Sequence, residues 1–174
     1  MFAQRNTLET GIFALPFKNR TLTLGSVGYY HHLPEKRTLG LRFTYATDAL
    51  FPNNTSIQHQ GYIFDLVHRW TKSSAASGRS RWQFETGISA FLNRVDYHYE
   101  GYIDICATGL TNEEINTAFR EIDWYTGLAS GVHWEREISP SWRLGVGSHL
   151  NIYFSVANGW CLLPLPFIRS AYSF

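Results

Sequence analysis

Late in the chain, His133 stands two residues before Glu135 and His149 two residues before Asn151. A histidine near a carboxylate or an amide is raw material for proton transfer, because imidazole exchanges a proton near neutral pH and a polar neighbour can orient it. His31-His32 offers two metal ligands, but adjacent residues of an extended chain face opposite ways, so two surface histidines is the plainer reading. Cys106 and Cys161 are the two thiols of the chain. A larger pattern runs through the whole sequence: Glu9, Arg42, Asp65, Arg69, Glu85, Glu135, Arg143 and Arg169, four acids and four arginines, each occupy a polar position of an alternating segment. What these groups do depends on the elements that hold them.

The clearest such element is 39–46, where Leu39, Leu41, Phe43 and Tyr45 alternate with Gly40, Arg42, Thr44 and Ala46. Period two means a strand with one apolar face. The same reading assigns strands to 7–15, 21–31, 61–70, 81–93, 124–135, 142–154 and 166–174, with turn residues between them. Connections at 33–37, 71–80 and 139–140 alternate with connections that include two long ones, 48–60 and 94–123. Within the latter, Thr111-Asn112-Glu113-Glu114 reads as a capping box, followed by an apolar stripe of Ile115, Ala118, Phe119 and Ile122. That predicts one short helix.

The 174 residues fit a single domain, 1–174. A net charge of +1 from scattered basic residues gives no field for nucleic acid, and no cofactor or metal is expected. Aromatic residues make up 16% of the chain, yet mean hydropathy is −0.21. No run reaches the ~18 apolar residues of a membrane helix, whereas a membrane strand needs only ~9 to 11 residues with alternate ones apolar.

The two faces then decide the architecture. Arginine facing lipid at mid-membrane would cost ~2 to 4 kcal/mol each, so the charged face must point inward, where its charges sum to zero. Trp70 and Trp82 flank one short turn and Trp134 and Trp142 the next, all on the apolar face, with Tyr172 and Phe174 at the same depth. Aromatic rings gathered at one level form a membrane-interface girdle. A soluble ligand-carrying barrel would have the opposite polarity, and the Gly-x-Trp usual on the first strand of lipocalins is missing here.

The last strand sets Pro166, Ile168, Ser170, Tyr172 and Phe174 on one face and ends there. This ending resembles the C-terminal strand of Gram-negative outer-membrane β-barrel proteins, and the eight-strand meander is similar to the small OmpA and OmpX type barrels. The resemblance implies an all-β fold, an eight-stranded antiparallel up-and-down transmembrane β-barrel with a short helix in an extracellular loop. It implies residence in the outer membrane among lipid and lipopolysaccharide, with the barrel-assembly machinery reading the last strand. Ala3 before Gln4 looks like the small-residue end of an export signal.

Eight strands leave an interior only wide enough for side chains, so the charged set reads as an interlocked plug. Glu135 and Arg143, counted outward from the Ser139 turn, are expected directly opposite each other. Strand parity puts Cys106 and Cys161 on the same side of an oxidising compartment, where a disulfide between the loops is expected. Function is expected to be structural or interaction-based, alone or with other outer-membrane proteins, through loops 94–123 and 155–164, with Tyr97, Tyr99, Tyr102 and Trp160 as the binding surface. The alternative within the resemblance is a lipid A modifying enzyme, an acyltransferase or a deacylase. The deacylase carries His-x-Ser on a late strand, and here Asn151 takes the place of the nucleophile.

Overall fold

The computed structural model describes residues 6–17, 20–47, 57–74, 79–102, 114–157 and 159–174. Alternating segments separated by turns give eight strands: β1 (Asn6–Phe17), β2 (Arg20–Leu33), β3 (Arg37–Thr47), β4 (Ile57–Ser74), β5 (Ser80–Tyr102), β6 (Glu114–Glu137), β7 (Trp142–Ser155) and β8 (Gly159–Ser173). Each pairs antiparallel with its sequence neighbours, and β1 pairs with β8 to close the barrel. Closure extends to the last residue. Asn6 and Phe174 exchange both backbone hydrogen bonds, at 3.2 and 3.0 Å, which removes the edge a terminal strand would otherwise present.

The β2–β3 hairpin turns through Pro34, Glu35 and Lys36, and both Glu35 (φ 61°) and Lys36 (φ 59°) are left-handed. Such turns match the twist of the flanking strands but favour Asn or Gly, because other L-residues adopt this region at a cost of ~1 kcal/mol or more. The β6–β7 turn holds itself through the Ile138 N–H, which donates to the Trp142 carbonyl at 2.9 Å.

Two expectations are corrected here. From Glu114 onward the chain is strand rather than helix: Ile115, Ala118, Phe119 and Ile122 oppose Gly101, His98, Tyr97 and Arg94. The capping residues Thr111, Asn112 and Glu113 lie outside the described residues. A capping box only lowers the cost of starting a helix, and a neighbouring strand that offers a ladder partner to every residue overrides that local preference. The long connection is accordingly shorter than expected, and β5 and β6 run on as a paired ribbon past Asn93 and Asp123.

The second correction concerns the thiols. Cys161 is on β8 opposite Tyr153 rather than in a loop, and it is a free thiol. Its side chain packs against the apolar cluster inside the barrel, which turns it away from the loops. Cys106, the expected disulfide partner, lies outside the described residues.

Inward side chains divide into two layers. Toward the turns the interior is charged. Toward the loops, Leu24, Ile63, Tyr153, Leu165 and Phe167 pack together with Phe91, Tyr125 and Leu163 against them.

Candidate functional site

A charge on the inner face of so narrow a barrel must find its counter-charges inside. Arg69 sits 3.9 Å from the centre of the Tyr30 ring. Its guanidinium donates to Glu9 at 2.5 and 3.0 Å and to Glu85 at 3.0 Å. Arg42 donates to Asp65 at 2.8 Å and ion-pairs with Glu85. Arg169 donates to Glu9 at 3.1 Å, to Glu135 at 2.5 Å and to Gln83. Arg81 completes the run by donating to Glu135 at 2.7 Å. The result is a continuous chain of alternating charge from Asp65 through Arg42, Glu85, Arg69, Glu9, Arg169 and Glu135 to Arg81. Tyr30 lies flat in the space left by Gly28 and Gly40, where an added Cβ would collide with its ring.

Arg143 is at the margin of this lattice. Its Nε is 3.8 Å from Glu135, and its Nη2 donates to Ser173 and, at 3.4 Å, to Thr7. The expected direct opposition of Glu135 and Arg143 is corrected: Glu135 opposes Gly145, and Arg143 opposes Glu137. The turn centres on Pro140 rather than Ser139, which shifts the register by two. The residue opposite Glu135 on its other neighbour is Arg81.

The histidines meet across strands, through Glu85. His149 Nδ1 lies 2.8 Å from one Glu85 oxygen and His133 Nε2 3.3 Å from the other. The two rings meet edge to face at 4.8 Å, and Phe167 stacks on His149 at 4.3 Å. Gly131 leaves the room for this, since a Cβ there would lie 2.7 Å from His149 Nδ1. Asn151 donates to Tyr153 at 2.8 Å, while Glu135 is held by arginines.

Ligand atoms of Glu85, His133 and His149 lie within 4.8 Å of one another, close enough to consider a metal ion. However, Glu85 already receives Arg42 on one oxygen and Arg69 on the other. With the histidines neutral, five lumen arginines face four carboxylates, so a dication would deepen an existing positive excess in an enclosed space. The set suits a packed ion lattice better than a metal centre.

The outside inverts this chemistry. Ile12 is 71% exposed, Ile168 67% and Leu128 64%, while Arg69 and Glu85 are 2% and 1% exposed. An apolar belt of this extent in water far exceeds the patches monomers tolerate. Near the turns it ends in Trp70, Trp82, Trp134, Trp142, Tyr172 and Phe174. Trp70 stacks on Phe84 at 6.3 Å and Trp142 meets Tyr172 at 5.1 Å. Near the loops a second aromatic level includes the Phe154–Trp160 pair at 5.1 Å and the Tyr45–Tyr62 pair at 5.2 Å. From Trp142 to Phe154, β7 rises ~40 Å along its length, or ~30 Å along the axis at the usual tilt. That matches the hydrocarbon core of a bilayer.

No family model matches this chain, and no curated protein matches it. Solved structures do. Neisserial surface protein A superposes with a TM-score of 0.61 at 10% identity, over 97% of this chain and 96% of that one. Ail, the attachment invasion locus protein of Yersinia pestis, gives 0.56 at 7% identity over 98% and 97%. A major outer membrane protein from Thermus thermophilus gives 0.63 at 12% identity over 98% and 99%. The fold is that of the small outer-membrane β-barrels.

Within this outer-membrane barrel fold, Tyr97, Tyr99 and Tyr102 fall on the part of β5 that runs beyond the loop-side aromatic level, paired with Phe119, Thr117 and Glu114. Trp160 is on the outer face of β8 at that level, 76% exposed. Sequence reasoning missed Arg81 as a lumen residue. It shares the parity of Gln83 and Glu85 on one strand, and that parity is the signal that could have found it as the first residue of the 81–93 segment.

Proposed function

We propose that the protein is an integral outer-membrane barrel with a closed lumen, acting as a structural or interaction protein through its loop end. The observation that carries this reading is the reversal of polarity between a charged, ion-paired interior and an apolar, aromatic-rimmed exterior. Two successive layers fill the tube, the ion lattice and then the apolar cluster, which favours a plug over a channel. The β5–β6 ribbon reaches past the aromatic level by nine residue pairs, Arg94↔Ile122 to Tyr102↔Glu114. It gives a partner a surface clear of the lipid. Ail, which shares this fold, is an attachment invasion locus protein by name, and that favours a role at the cell surface. Outer-membrane lipid and lipopolysaccharide are the surroundings this exterior suits, and β8 is the segment the barrel-assembly machinery would read.

The test joins three measurements on the full chain. The protein should fold only in detergent or lipid, with unboiled and boiled samples migrating differently on a denaturing gel. Planar-bilayer recordings should show no steady, large conductance. Lipid A mass spectra should be the same with and without the protein. A well-behaved monomer in plain buffer rejects the membrane reading, a stable open pore rejects the plug, and a lipid A mass shift replaces the interaction role with an enzymatic one.

A further inference from the structure

The lattice is unbalanced, and the excess gathers at one end. Glu135 answers Arg81, the more distant Arg143 and, together with Glu9, Arg169, all toward the turns. At that mouth of the lumen a cavity of about 320 Å³ opens beneath the β2–β3 turn, lined by His32, Lys36, Arg37, Thr38, Thr71 and Arg81 among others, with no acidic side chain among the described residues of its wall. Arg37 has only a weak counter-ion there, the exposed Glu35 at 3.0 Å. The left-handed backbone of Lys36, a conformation better suited to Asn or Gly, is what turns this hairpin and carries its lysine into the wall of the cavity. Three fixed cations and two threonine hydroxyls around one water-reached cavity make an oxyanion site by ordinary charge-assisted hydrogen bonding.

We propose that the turn-side mouth of the lumen binds a phosphoryl anion, with Lys36, Arg37 and Arg81 supplying charge and Thr38 and Thr71 supplying neutral donors. The inference goes beyond the loop-end role and does not depend on it. The cavity lies at the level of the turn-side girdle, since Arg37 opposes Trp70 and Lys72 opposes Trp82. Aromatic girdles mark headgroup depth. The phosphoryl group could therefore belong to an anionic phospholipid or to a free phosphate compound.

The experiment uses the folded full chain and the double variant Lys36→Gln/Arg37→Gln, whose side chains are exposed and outside the lattice, so that folding is retained and checked by gel mobility. Inorganic phosphate is titrated against the detergent-solubilised protein by phosphorus NMR. In parallel, phosphatidylglycerol retained from mixed phosphatidylglycerol and phosphatidylcholine nanodiscs is counted by native mass spectrometry. Saturable phosphate binding that weakens about tenfold or more in the variant supports the site with a soluble ligand. Phosphatidylglycerol enrichment that the variant loses supports it with a lipid ligand. Binding by neither probe, or binding that the variant leaves unchanged, overturns it. Arg81→Gln is the second variant, expected to weaken binding in the same assays where it folds.

Discussion

In the turn-side half of the lumen, Arg42, Arg69 and Arg169 thread between Glu9, Asp65, Glu85 and Glu135. In the loop-side half, Leu24, Ile63, Tyr153, Leu165 and Phe167 fill the same bore with apolar and aromatic groups. Both halves exclude water, but they fail differently. Removing an apolar side chain leaves a hole, whose cost is set by the lost contacts. Removing one ion leaves its partner buried and uncompensated, and that penalty can exceed anything the pair contributed while intact. Each carboxylate of the lattice apart from Asp65 is shared by at least two arginines, so the damage from one deletion depends on where in the chain of charges it falls.

The same contrast explains how much could be read from the sequence. Where the interior is charged, inner and outer residues differ in kind. The alternation of Leu39 to Ala46 and of Tyr62 to Trp70 accordingly gives the strands, the faces and the lumen charges directly. Toward the loops the inner face becomes apolar while the outer face stays so. On β8, Leu163, Leu165 and Phe167 point inward and Leu162, Pro164 and Pro166 outward, a stretch without alternation. That is why the pattern of residues 159–164, Cys161 among them, reads as part of a loop although they belong to β8. The β5–β6 ribbon failed for another reason: beyond the membrane neither face needs to be apolar, so period two carries no signal and the local capping pattern at Thr111 prevailed. Register was lost by a single choice of turn centre at Ser139, which no composition rule decides.

The largest effect is expected at Arg69, which serves both Glu9 and Glu85 beneath Tyr30. Arg69→Met should lower stability by ~3 to 5 kcal/mol, measured as the urea unfolding midpoint of the protein in lipid vesicles. Adding Glu9→Gln to that variant should recover part of the loss, because Glu9 is otherwise left with Arg169 alone, which it shares with Glu135. A purely additive double variant would mean that water already solvates Glu9, and the enclosed lattice would have to be abandoned.

Next comes the apolar half. Leu165→Ala should cost about 3 kcal/mol by the same titration, through the cavity it leaves, and no charge substitution should rescue it. Rescue by a change in the lattice would show that the two layers are coupled rather than stacked.

Gly40→Ala tests the fit of Tyr30 between them. A Cβ at that position meets the Tyr30 ring, which is itself pinned by Arg69 and has little room to yield. A loss of ~1 to 3 kcal/mol is expected from overpacking. If Gly40→Ala is neutral, Tyr30 moves freely and the cation–π contact is not fixing it.

Arg143 should give the smallest effect, although it lies on the same face as the other lumen arginines. It stands at the turn-side mouth, 3.8 Å from Glu135, while Arg169 and Arg81 already hold that carboxylate at 2.5 and 2.7 Å. Its remaining bonds are to the hydroxyls of Thr7 and Ser173, which also bond each other at 2.8 Å. Arg143→Ala therefore strands no charge, and its loss should stay under about 1 kcal/mol: Arg143 is itself largely buried, 9% exposed against 2% for Arg69, but its contact with Glu135 is the loosest of the three. Salt separates this from the deep lattice. Screening at ~1 M salt acts on exposed charges and spares enclosed ones, so the small loss at Arg143 should vanish there while the loss at Arg69 persists. An Arg143→Ala variant as unstable as Arg69→Met, at low and high salt alike, would extend the enclosed lattice to Arg143 and remove the distinction between its margin and its centre.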